Sequence, residues 1–507
     1  MSSMPESRMG RPQRTARSAV HRRPVLWSLG ALAGASGLGV GVDGATALGS
    51  DGDDWEAAAD ERIRNHRTAD LEIVVTDVDG NAIDGADVDV ELHEHEYGFG
   101  TAVDATTLIN ETEAGDEYRQ YIPELFNTAV LENQHKWRFF EEDPDLADDA
   151  TAWLGERGLD MRGHTCLWGN VDAWAVPPDV VEAMGIEWED GGATDPDLDP
   201  EYVRERSFEH LEEIITRYGD EIDQWDVVNE VFHEPSMIEA IDGDDVDPVE
   251  APVLAEWYRA ADELGEELGV AVDVNDYNTL AGPHEYARES YRRQIEFLLE
   301  EDVDLDGIGM QCHFSADETL TPEGILDGLD EYADYGAELR VTEFDTEGGP
   351  WEGPEEKGEF LYTFLKTVFS HPDTTDFLMW GFWDGEHWRD EAPLFFDDWE
   401  PKPAYDAYTD LVFGEWWTDE TGETEDGTYQ TSGFKGEYEI TARYDGTSET
   451  TTTTLADGGA TVEIELEVDA TDADDSTPGL GVSSAVAGLL GLAGYALVRG
   501  GDERDEK

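Results

Sequence analysis

The sequence predicts an α/β fold: a (β/α)8 TIM barrel, preceded by a short N-terminal β-hairpin and followed by a small C-terminal all-β module. Short apolar runs alternate with helical patterns in which apolar residues recur every three or four positions. Eight such runs occur, at residues 99–103, 126–131, 161–167, 225–228, 270–274, 308–312, 339–342 and 377–382. Eight alternating strand and helix units indicate a parallel barrel with its active site at the carboxyl ends of the strands.

The beginning of the chain carries the features of an export signal. Several arginines precede an apolar run rich in Gly and Ala, and small residues suited to a cleavage site follow it. The paired Arg22 and Arg23 resemble a twin-arginine signal, and ordinary secretion is the alternative because the flanking residues depart from the usual pattern. We predict an export signal over residues 1–47, a linker over residues 48–60, and a protein that is secreted or anchored to the outside of the cell surface.

Two alternating stretches follow the predicted linker. Apolar residues alternate at 71–75 and 88–92, on either side of a turn sequence at 79–81, which predicts a β-hairpin. His93 and His95 would share one strand face and could hold a metal. Because no third ligand of suitable spacing follows them, a structural role is favoured, and we predict neither a metal nor another cofactor.

Two of the barrel runs end in glutamate. Asn229 and Glu230 end one run, and Glu343 ends a later one. A carboxyl without a partner is costly to bury, so we expect these groups to face a cleft. Cleavage of a glycosidic bond requires two carboxylic acids, one to protonate the departing oxygen and one to attack or stabilise the sugar carbon.

The other residues at the ends of the runs form a coherent chemical set. They comprise amides, carboxylates, imidazoles, a lysine and tryptophans, which together suit the apolar faces and hydroxyl rims of sugars. The candidates are Glu132, Asn133, Lys136, His164, Trp168, Tyr277, Gln311, His313, Asp345, Trp380 and Trp388. Each has an ordinary structural explanation by itself, but their recurrence at one end of successive strands favours a binding site.

Beyond the barrel, the chain becomes rich in Gly, Thr and Asp and alternates strictly, which predicts a small β-module over residues 413–468. Such a module is marginal as an independent fold at this size. Trp416 and Trp417 could bind polysaccharide, but packing against the barrel is favoured. An acidic linker is predicted at residues 469–479.

The end of the chain contains a stretch without charged residues at 480–498. A helix of this length spans about 30 Å, enough for the hydrocarbon core of a membrane. We predict a transmembrane anchor, or a sorting segment that a lipid replaces, followed by a charged tail at residues 499–507.

The composition limits the partners of the protein. A net charge of -91, from 122 acidic and 31 basic residues, argues against nucleic acid, because binding it needs basic surface. Repulsion of this size would oppose compaction unless concentrated cations screened it, so the surface is interpreted as salt-adapted. Cys166 and Cys312 show no metal spacing and cannot form a disulfide framework, so we expect free buried thiols. We expect a monomer.

The strand-end residues resemble a known family, the retaining endo-β-1,4-xylanases of glycoside hydrolase family 10. The matching stretches are residues 126–127, 132–133, 136–137, 162–165, 225–230, 275–277, 307–309 with Gln311 and His313, 341–345, 380–383 and 402–405. They occur in family order and cover about residues 61–412, the predicted catalytic domain. Together with the charge and the export signal, this makes a secreted haloarchaeal member the expectation.

The resemblance implies a role for each residue of the cleft. Glu230 would be the acid/base and Glu343 the nucleophile. His313 would hydrogen-bond Glu343, Asp345 would orient that imidazole, and Asn229 would meet the sugar 2-hydroxyl. The glycone side would be lined by Glu132, Asn133, Lys136, His164, Trp168, Trp380 and Trp388, with Tyr277 and Gln311 as further substrate contacts. The implied reaction is endo-acting hydrolysis of β-1,4-xylosidic bonds in xylan.

One departure from the family pattern affects the substrate. The family usually has His after the residue aligned with Trp168 and Gln two residues later, where Gly169 and Val171 stand here. Contacts on the glycone side are therefore lost or replaced. Two alternatives stay open, a β-1,4-glucanase of the same mechanism and a non-catalytic surface protein that binds polysaccharide, although the presence of both glutamates favours an enzyme.

Overall fold

The computed structural model describes residues 52–280 and 283–468. The export signal predicted at residues 1–47 lies outside this range, as do the acidic linker, the membrane or sorting segment and the charged tail predicted after residue 468. Within the described ranges, no helix is long and apolar enough to cross a membrane.

A helix occupies most of the predicted linker. Helix α1 (Gly52–His66) includes residues 52–60, so the linker prediction is wrong for these residues. Ala59 and Ile63 lie one helical turn apart and are buried, Ile63 within the hydrophobic core of the barrel. The sequence analysis missed this short amphipathic pattern because acidic residues surround it.

The predicted barrel is confirmed, and its strands lie within a few residues of the predicted runs. The strands up to the end of the barrel are β1 (Thr68–Asp77), β2 (Asp87–His95), β3 (Gly98–Val103), β4 (Thr128–Leu131), β5 (Asp160–Gly163), β6 (Leu167–Trp168), β7 (Gln224–Asn229), β8 (Ala271–Asp276), β9 (Gly307–Met310), β10 (Glu338–Phe344) and β11 (Thr374–Met379). Strands β3 to β11 form one parallel sheet, which closes because β11 pairs with β3. β5 and β6 together make the third of the eight barrel strands, and both pair with β7. Cys166 and Cys312 are buried free thiols, as predicted.

The remaining helices connect the barrel strands. They are α2 (Glu117–Leu125), α3 (Trp137–Glu142), α4 (Pro144–Gly155), α5 (Pro178–Ala183), α6 (Pro200–Tyr218), α7 (Ser236–Asp242), α8 (Pro252–Leu268), α9 (Glu285–Glu300), α10 (Pro322–Ala333), α11 (Pro354–Ser370) and α12 (Pro403–Thr409). Most begin with proline, which lacks an N–H where none is needed. The side chains of Asp143, Asp199 and Thr321 cap α4, α6 and α10 by accepting a backbone N–H at 3.2 Å.

Charged side chains fill part of the barrel interior. Arg162 forms ion pairs with Asp226 and, at 2.8 Å, with Asp273. Arg340 lies 3.3 Å from Asp273 and 3.1 Å from Asp376. Because the two guanidinium groups and three carboxylates alternate, each buried charge has an opposite charge beside it. This network supports the base of the cleft.

A β-sandwich follows the barrel and includes strands from both ends of the described chain. Its C-terminal strands are β12 (Asp419–Glu423), β13 (Thr428–Phe434), β14 (Gly436–Tyr444), β15 (Thr447–Leu455) and β16 (Ala460–Leu466). One sheet has the order β12-β2-β14-β15 and the other β13-β1-β16. Apolar residues from the two sheets form a separate hydrophobic core. The predicted C-terminal β-module is therefore larger than residues 413–468, because two N-terminal strands complete it.

The predicted N-terminal hairpin is wrong, although both of its strands exist. β1 and β2 belong to different sheets, and the tight turn at 77–81 closes only a local loop through the bond from Asp77 N–H to the Asn81 carbonyl at 2.9 Å. Each strand has one apolar face. Pairing across the sandwich buries both faces against each other, whereas a lone hairpin would leave them exposed.

Trp416 contacts the barrel, which confirms the favoured packing role for this residue. Trp416 is buried and stacks on Phe369 of α11 with ring centroids 4.0 Å apart. Trp417 instead packs against the core of the sandwich and meets the ring of His95 of β2 edge-on at 5.4 Å. The contacts of Trp416 with Phe369 and with Phe99 at the start of β3 hold the sandwich against the amino-terminal end of the barrel strands, away from the cleft.

Candidate active site

Glu230 directly follows β7 at the carboxyl end of the barrel. Its backbone has φ +56°, a left-handed conformation that turns the chain out of the strand. Oε1 accepts a hydrogen bond from Gln311 Nε2 and Oε2 accepts one from Trp168 Nε1, both at 2.9 Å. Burial, reinforced by the negative charges of Asp276 and Glu343, raises the pKa of Glu230 to about 8. This carboxyl therefore holds a proton at neutral pH.

Glu343 lies near the end of β10 in a different electrostatic environment. Its Oε1 accepts a hydrogen bond from Asn275 Nδ2 at 2.8 Å, and its Oε2 lies 3.3 Å from His313 Nε2. His313 Nδ1 lies 2.9 Å from Asp345 Oδ2. Burial by itself would lower the pKa of His313, but the charges of Asp345 and Glu343 raise this pKa to about 10. A cationic imidazole therefore stands beside Glu343.

Asp345 is held in place from several sides. Trp388 Nε1 donates a hydrogen bond to Asp345 Oδ2 at 2.8 Å, and His387 Nε2 lies 3.6 Å from the same oxygen. Burial opposes the charged form, but His313 holds the pKa of Asp345 below its ordinary value. The predicted contacts of Asp345 with His313 and of His313 with Glu343 are thus present.

An amide network joins the two glutamates. Gln311 Nε2, which bonds Glu230, also lies 3.4 Å from Asn229 Oδ1. Asn275 Nδ2, which bonds Glu343, donates to the same Asn229 oxygen at 3.1 Å. The relative positions of the two carboxyl groups are therefore set by rigid amide side chains at the ends of neighbouring strands.

Lys136 is the centre of one side of the cleft. It is buried, its Nζ donates to Asn133 Oδ1 at 2.9 Å, and it lies 4.9 Å from the ring centroid of Trp168 and 6.0 Å from that of Trp380. Burial lowers the pKa of Lys136, and among the carboxylates that oppose this shift Glu132 has the largest effect. The predicted glycone-side residues of the second, third and eighth strands thus converge.

His164 lies under this group of residues. Its Nδ1 lies 2.9 Å from Asp226 Oδ2, and its ring meets Trp380 edge-on at 5.0 Å. Asp226 is also paired with Arg162 in the barrel interior. The imidazole is thereby oriented by Asp226 and by Trp380.

Tyr277 lines the opposite side of the cleft. Its ring stacks on His233, with centroids 3.7 Å apart and an interplanar angle of 11°. His233 Nδ1 lies 2.6 Å from Asp276 Oδ1. Burial lowers the pKa of His233 to about 4 and raises that of Asp276 well above its ordinary value. Tyr277 is thus held on one face by a histidine that is itself fixed by Asp276.

The departure at Gly169 has a structural counterpart. A Cβ atom at Gly169 would lie 2.3 Å from the carbonyl oxygen of Glu234, and the Ser236 hydroxyl donates to the Gly169 carbonyl. The loop after β7 therefore occupies the place where a larger side chain would begin. A histidine at this position would require that loop to move.

Some functional residues had no assigned role in the sequence analysis. Asn275 occurs in a matching stretch, and its position at the end of a strand was a usable signal for its contact with Glu343. Asp226 lies inside a strand, and a buried carboxylate there requires a charged or hydrogen-bonding partner. The sequence alone did not identify that partner. His233 lies in the loop beyond β7, and nothing in the sequence linked it to Asp276 or Tyr277.

Outside the cleft, two carboxylates lie beside one of the two histidines that were considered as metal ligands. Glu91 and His93 of β2 and Glu439 of β14 bring ligand atoms within 4.8 Å of one another. The expectation that no third ligand follows missed Glu439, because it is distant in sequence and arrives through strand pairing. Carboxylates cluster readily in so acidic a protein, and we assign no metal to this group. His95 is structural, since burial among aromatic rings lowers its pKa to about 4.

The family model for glycosyl hydrolase family 10 matches residues 90–411, which include both glutamates and every residue of the cleft described above. The chain belongs to this family. In this family 10 chain the match begins inside β2, and β1 lies before it.

Individual relatives of this family 10 member are distant. It is 28% identical over 410 residues to the anti-sigma-I factor RsgI6 of Acetivibrio thermocellus. The aligned region covers 78% of this chain and 48% of that relative, so this chain spans about half of the relative's length. A β-1,4-xylanase of Dictyoglomus thermophilum is 26% identical, covering 62% of this chain and 88% of the relative. The crystal structure of xylanase 10B from Thermotoga petrophila in complex with xylobiose superposes with a TM-score of 0.53 and 21% identity, covering 63% of this chain and 95% of that one, which is a likeness of fold.

Proposed function

We propose that this protein is an endo-acting β-1,4-xylanase that hydrolyses internal xylosidic bonds with retention of configuration. The observation that carries the proposal is the opposite environment of the two glutamates. The pKa of Glu230 is raised to about 8, so that it starts protonated, whereas Glu343 faces the cationic His313. One acid is thus prepared to give a proton and the other to attack.

In the first step, Glu343 attacks the anomeric carbon of the sugar. The bond to the departing oxygen breaks, and Glu230 gives its proton to that oxygen, so that the shortened chain leaves as an alcohol. The product is a glycosyl ester on Glu343. Asn275 and His313, which contact the two oxygens of Glu343, hold the carboxylate in position for the attack.

In the second step, water replaces the departed chain. Glu230, now ionised, takes a proton from the water as its oxygen attacks the anomeric carbon, and the ester bond to Glu343 breaks. Both glutamates return to their starting protonation states. Two displacements at one carbon restore the β-configuration, which is why the carboxyl groups of such enzymes lie about 5 to 5.5 Å apart.

The support for xylan as substrate is family membership together with the chemistry of the cleft. Tryptophan rings beside Lys136 and Asn133 suit a chain of neutral sugars, whose rings have apolar faces and hydroxyl edges. A binding protein without turnover is disfavoured, because both glutamates retain their hydrogen-bonding partners. A chain that lacked either carboxyl would instead be expected to bind polysaccharide without cleaving it.

Two assays test the proposal. Release of reducing sugar is measured on xylan and on a soluble cellulose, with faster release from xylan expected. The anomeric configuration of the first product is then followed by NMR before mutarotation. Faster release from cellulose would make the protein a glucanase, and an initial α-anomer would mean inversion and remove Glu343 as nucleophile.

We also propose that the enzyme acts outside the cell, in concentrated salt. The support is the basic and apolar segment at residues 1–47, the uncharged stretch at 480–498 and the net charge of -91. N-terminal sequencing of protein from the culture medium and from membranes should give a mature start near residue 48. Recovery of uncleaved protein in the cytoplasmic fraction alone would overturn the proposal.

A further inference from the structure

The loop between β6 and α5 is a closed turn built around Asn170. The Asn170 side-chain oxygen accepts from the Ala173 N–H at 2.9 Å, and its backbone carbonyl accepts from the Ala175 N–H at 3.2 Å. The Trp174 N–H donates to the Val171 carbonyl at 3.1 Å. Three hydrogen bonds therefore close the six positions from Asn170 to Ala175, with Trp174 near the end of the turn.

Trp174 is unusual in both backbone and exposure. Its φ is +59°, in the left-handed region that bulky residues seldom adopt, and its side chain is 42% exposed. A large apolar ring gains little from such exposure, and a strained backbone persists only where the surroundings enforce it. Strain of this kind concentrates at binding and catalytic positions.

The exposed indole is supported from beneath and from one edge. The guanidinium carbon of Arg138 lies 4.2 Å from the ring centroid, and Trp188 meets the ring at 5.0 Å and 74°. Arg138 is itself nearly buried and donates to the Gly191 carbonyl at 3.1 Å and to Glu142 at 2.8 Å. The ring is thus fixed in orientation while its remaining surface faces solvent.

This platform continues the line of residues at one side of the cleft. The Arg138 N–H donates to the Ala175 carbonyl at 3.2 Å, which ties the Trp174 turn to the segment just after Lys136. Lys136 lies against Trp168, and Trp168 bonds the acid/base Glu230. A chain of contacts therefore runs from Glu230 through Trp168 to Lys136, and the segment just after Lys136 is bonded to the turn that carries Trp174.

We propose that Trp174 is a sugar-binding platform for a distal pyranose ring of the β-1,4-linked chain, on the glycone side and beyond the sugars that contact Lys136. The flat CH face of a pyranose stacks on an indole without needing charge. The platform would replace affinity lost through Gly169 and Val171, which precede it in the same loop. The inference rests on the proposed xylanase activity and adds a determinant of chain length.

The test uses Trp174→Ala and Trp174→Gly with two substrates, xylohexaose and an aryl β-xylobioside. We expect kcat/KM on xylohexaose to fall about three- to tenfold, mainly through KM, and kcat/KM on the short substrate to stay unchanged. Tyr444→Ala, which removes an exposed aromatic from the β-sandwich, is the matched control and should change neither value.

Thermal melts separate binding from structure. Glycine adopts a positive φ without strain, so Trp174→Gly should melt at or above the temperature of Trp174→Ala while showing the same loss on xylohexaose. Equal losses on both substrates, or no loss on xylohexaose, would overturn the platform. If the wild-type protein cleaves neither substrate, the proposed function fails, and binding of xylohexaose to Glu343→Gln with and without Trp174 still decides the inference.

Discussion

The cleft of the barrel and the core of the β-sandwich bury different kinds of side chain, ionisable in the cleft and aliphatic in the sandwich. The core of the sandwich is aliphatic except for Tyr438, and its strands alternate between buried apolar and exposed polar residues. The barrel cleft instead buries Glu230, Glu343 and Lys136, which are 8%, 5% and 6% exposed. Both regions are compact, but among the described residues only the barrel buries carboxyl and ammonium groups.

Stability and chemistry lie in different parts of this protein. Burying a charge opposes folding unless an opposite charge or hydrogen bonds compensate. In the cleft, such compensation is supplied by Gln311, Asn275 and His313, whose side chains contact the two glutamates. Changes in the cleft should therefore remove activity, whereas changes in the sandwich core should remove stability.

The largest effect should come from Glu343→Gln. An amide cannot attack the anomeric carbon, so turnover of xylan should fall by roughly 10⁴- to 10⁶-fold, while oligosaccharide binding is kept. Rates from reducing-sugar assays and affinities from calorimetry test this. The same substitution at Glu423, on an exposed strand of the sandwich, is the control and should leave the rate unchanged. Substantial turnover by Glu343→Gln would show that another group is the nucleophile.

Glu230→Ala should cost less, because acid catalysis contributes about 10²- to 10⁴-fold. The loss should be large on xylan, whose departing alcohol needs a proton. It should be smallest on aryl glycosides with leaving groups that need none. Comparing kcat/KM on the two substrates checks this, and equal losses on both would contradict the assignment of Glu230 as the acid.

The pH dependence should report the same group. Because the pKa of Glu230 is raised to about 8 and the protonated form is active, kcat/KM should fall about tenfold per unit above pH 8. Stability follows the same sign. The unfolded chain releases this proton near its ordinary pKa, so the stabilisation of protonated Glu230 is full at low pH and is lost as pH rises through 8.

Glu230→Gln separates these pH effects from general alkaline damage. Its melting temperature, relative to wild type, should increase between pH 5 and pH 9, because the amide has no buried proton to lose. A constant difference across that range would mean that Glu230 titrates normally.

In the sandwich, Ile440→Ala should change stability alone. Ile440 is fully buried between the sheets, and deleting its side chain should cost about 2–5 kcal/mol. Below the melting transition, kcat should match wild type. Thr452→Ala, at an exposed position of the adjacent strand, should stay within about 0.5 kcal/mol of wild type. A lower kcat for folded Ile440→Ala would show that the sandwich also shapes the cleft.

The smallest and broadest effect should come from salt. The net charge of -91 is repulsive over the Debye length, which falls from about 10 Å at 0.1 M to about 3 Å at 1 M. Melting temperatures should therefore rise from dilute buffer to molar salt. Melts that do not change with salt would show that the charge has no part in stability.

Local patterns were enough to predict much of the barrel and its chemistry. Hydrophobic periodicity located the strands, and a carboxyl at the end of a buried strand has to face a cleft, whatever the rest of the chain does. The contact of His313 with Glu343 came from the family resemblance. The packing role of Trp416 was favoured from the sequence because a large aromatic beside a marginal module gains most by burial.

Only the tertiary structure decided how distant parts of the chain meet. Thr68 of β1 pairs with Phe434 in one sheet of the sandwich, so the expected hairpin does not form. Glu439 reaches His93 through the pairing of β2 with β14 in the other sheet. The contact of Asn275 with Glu343 and the stacking of Arg138 on Trp174 likewise join residues that are distant in sequence. Alternation shows that a strand has an apolar face, but the partner that covers this face depends on the packing of the whole chain.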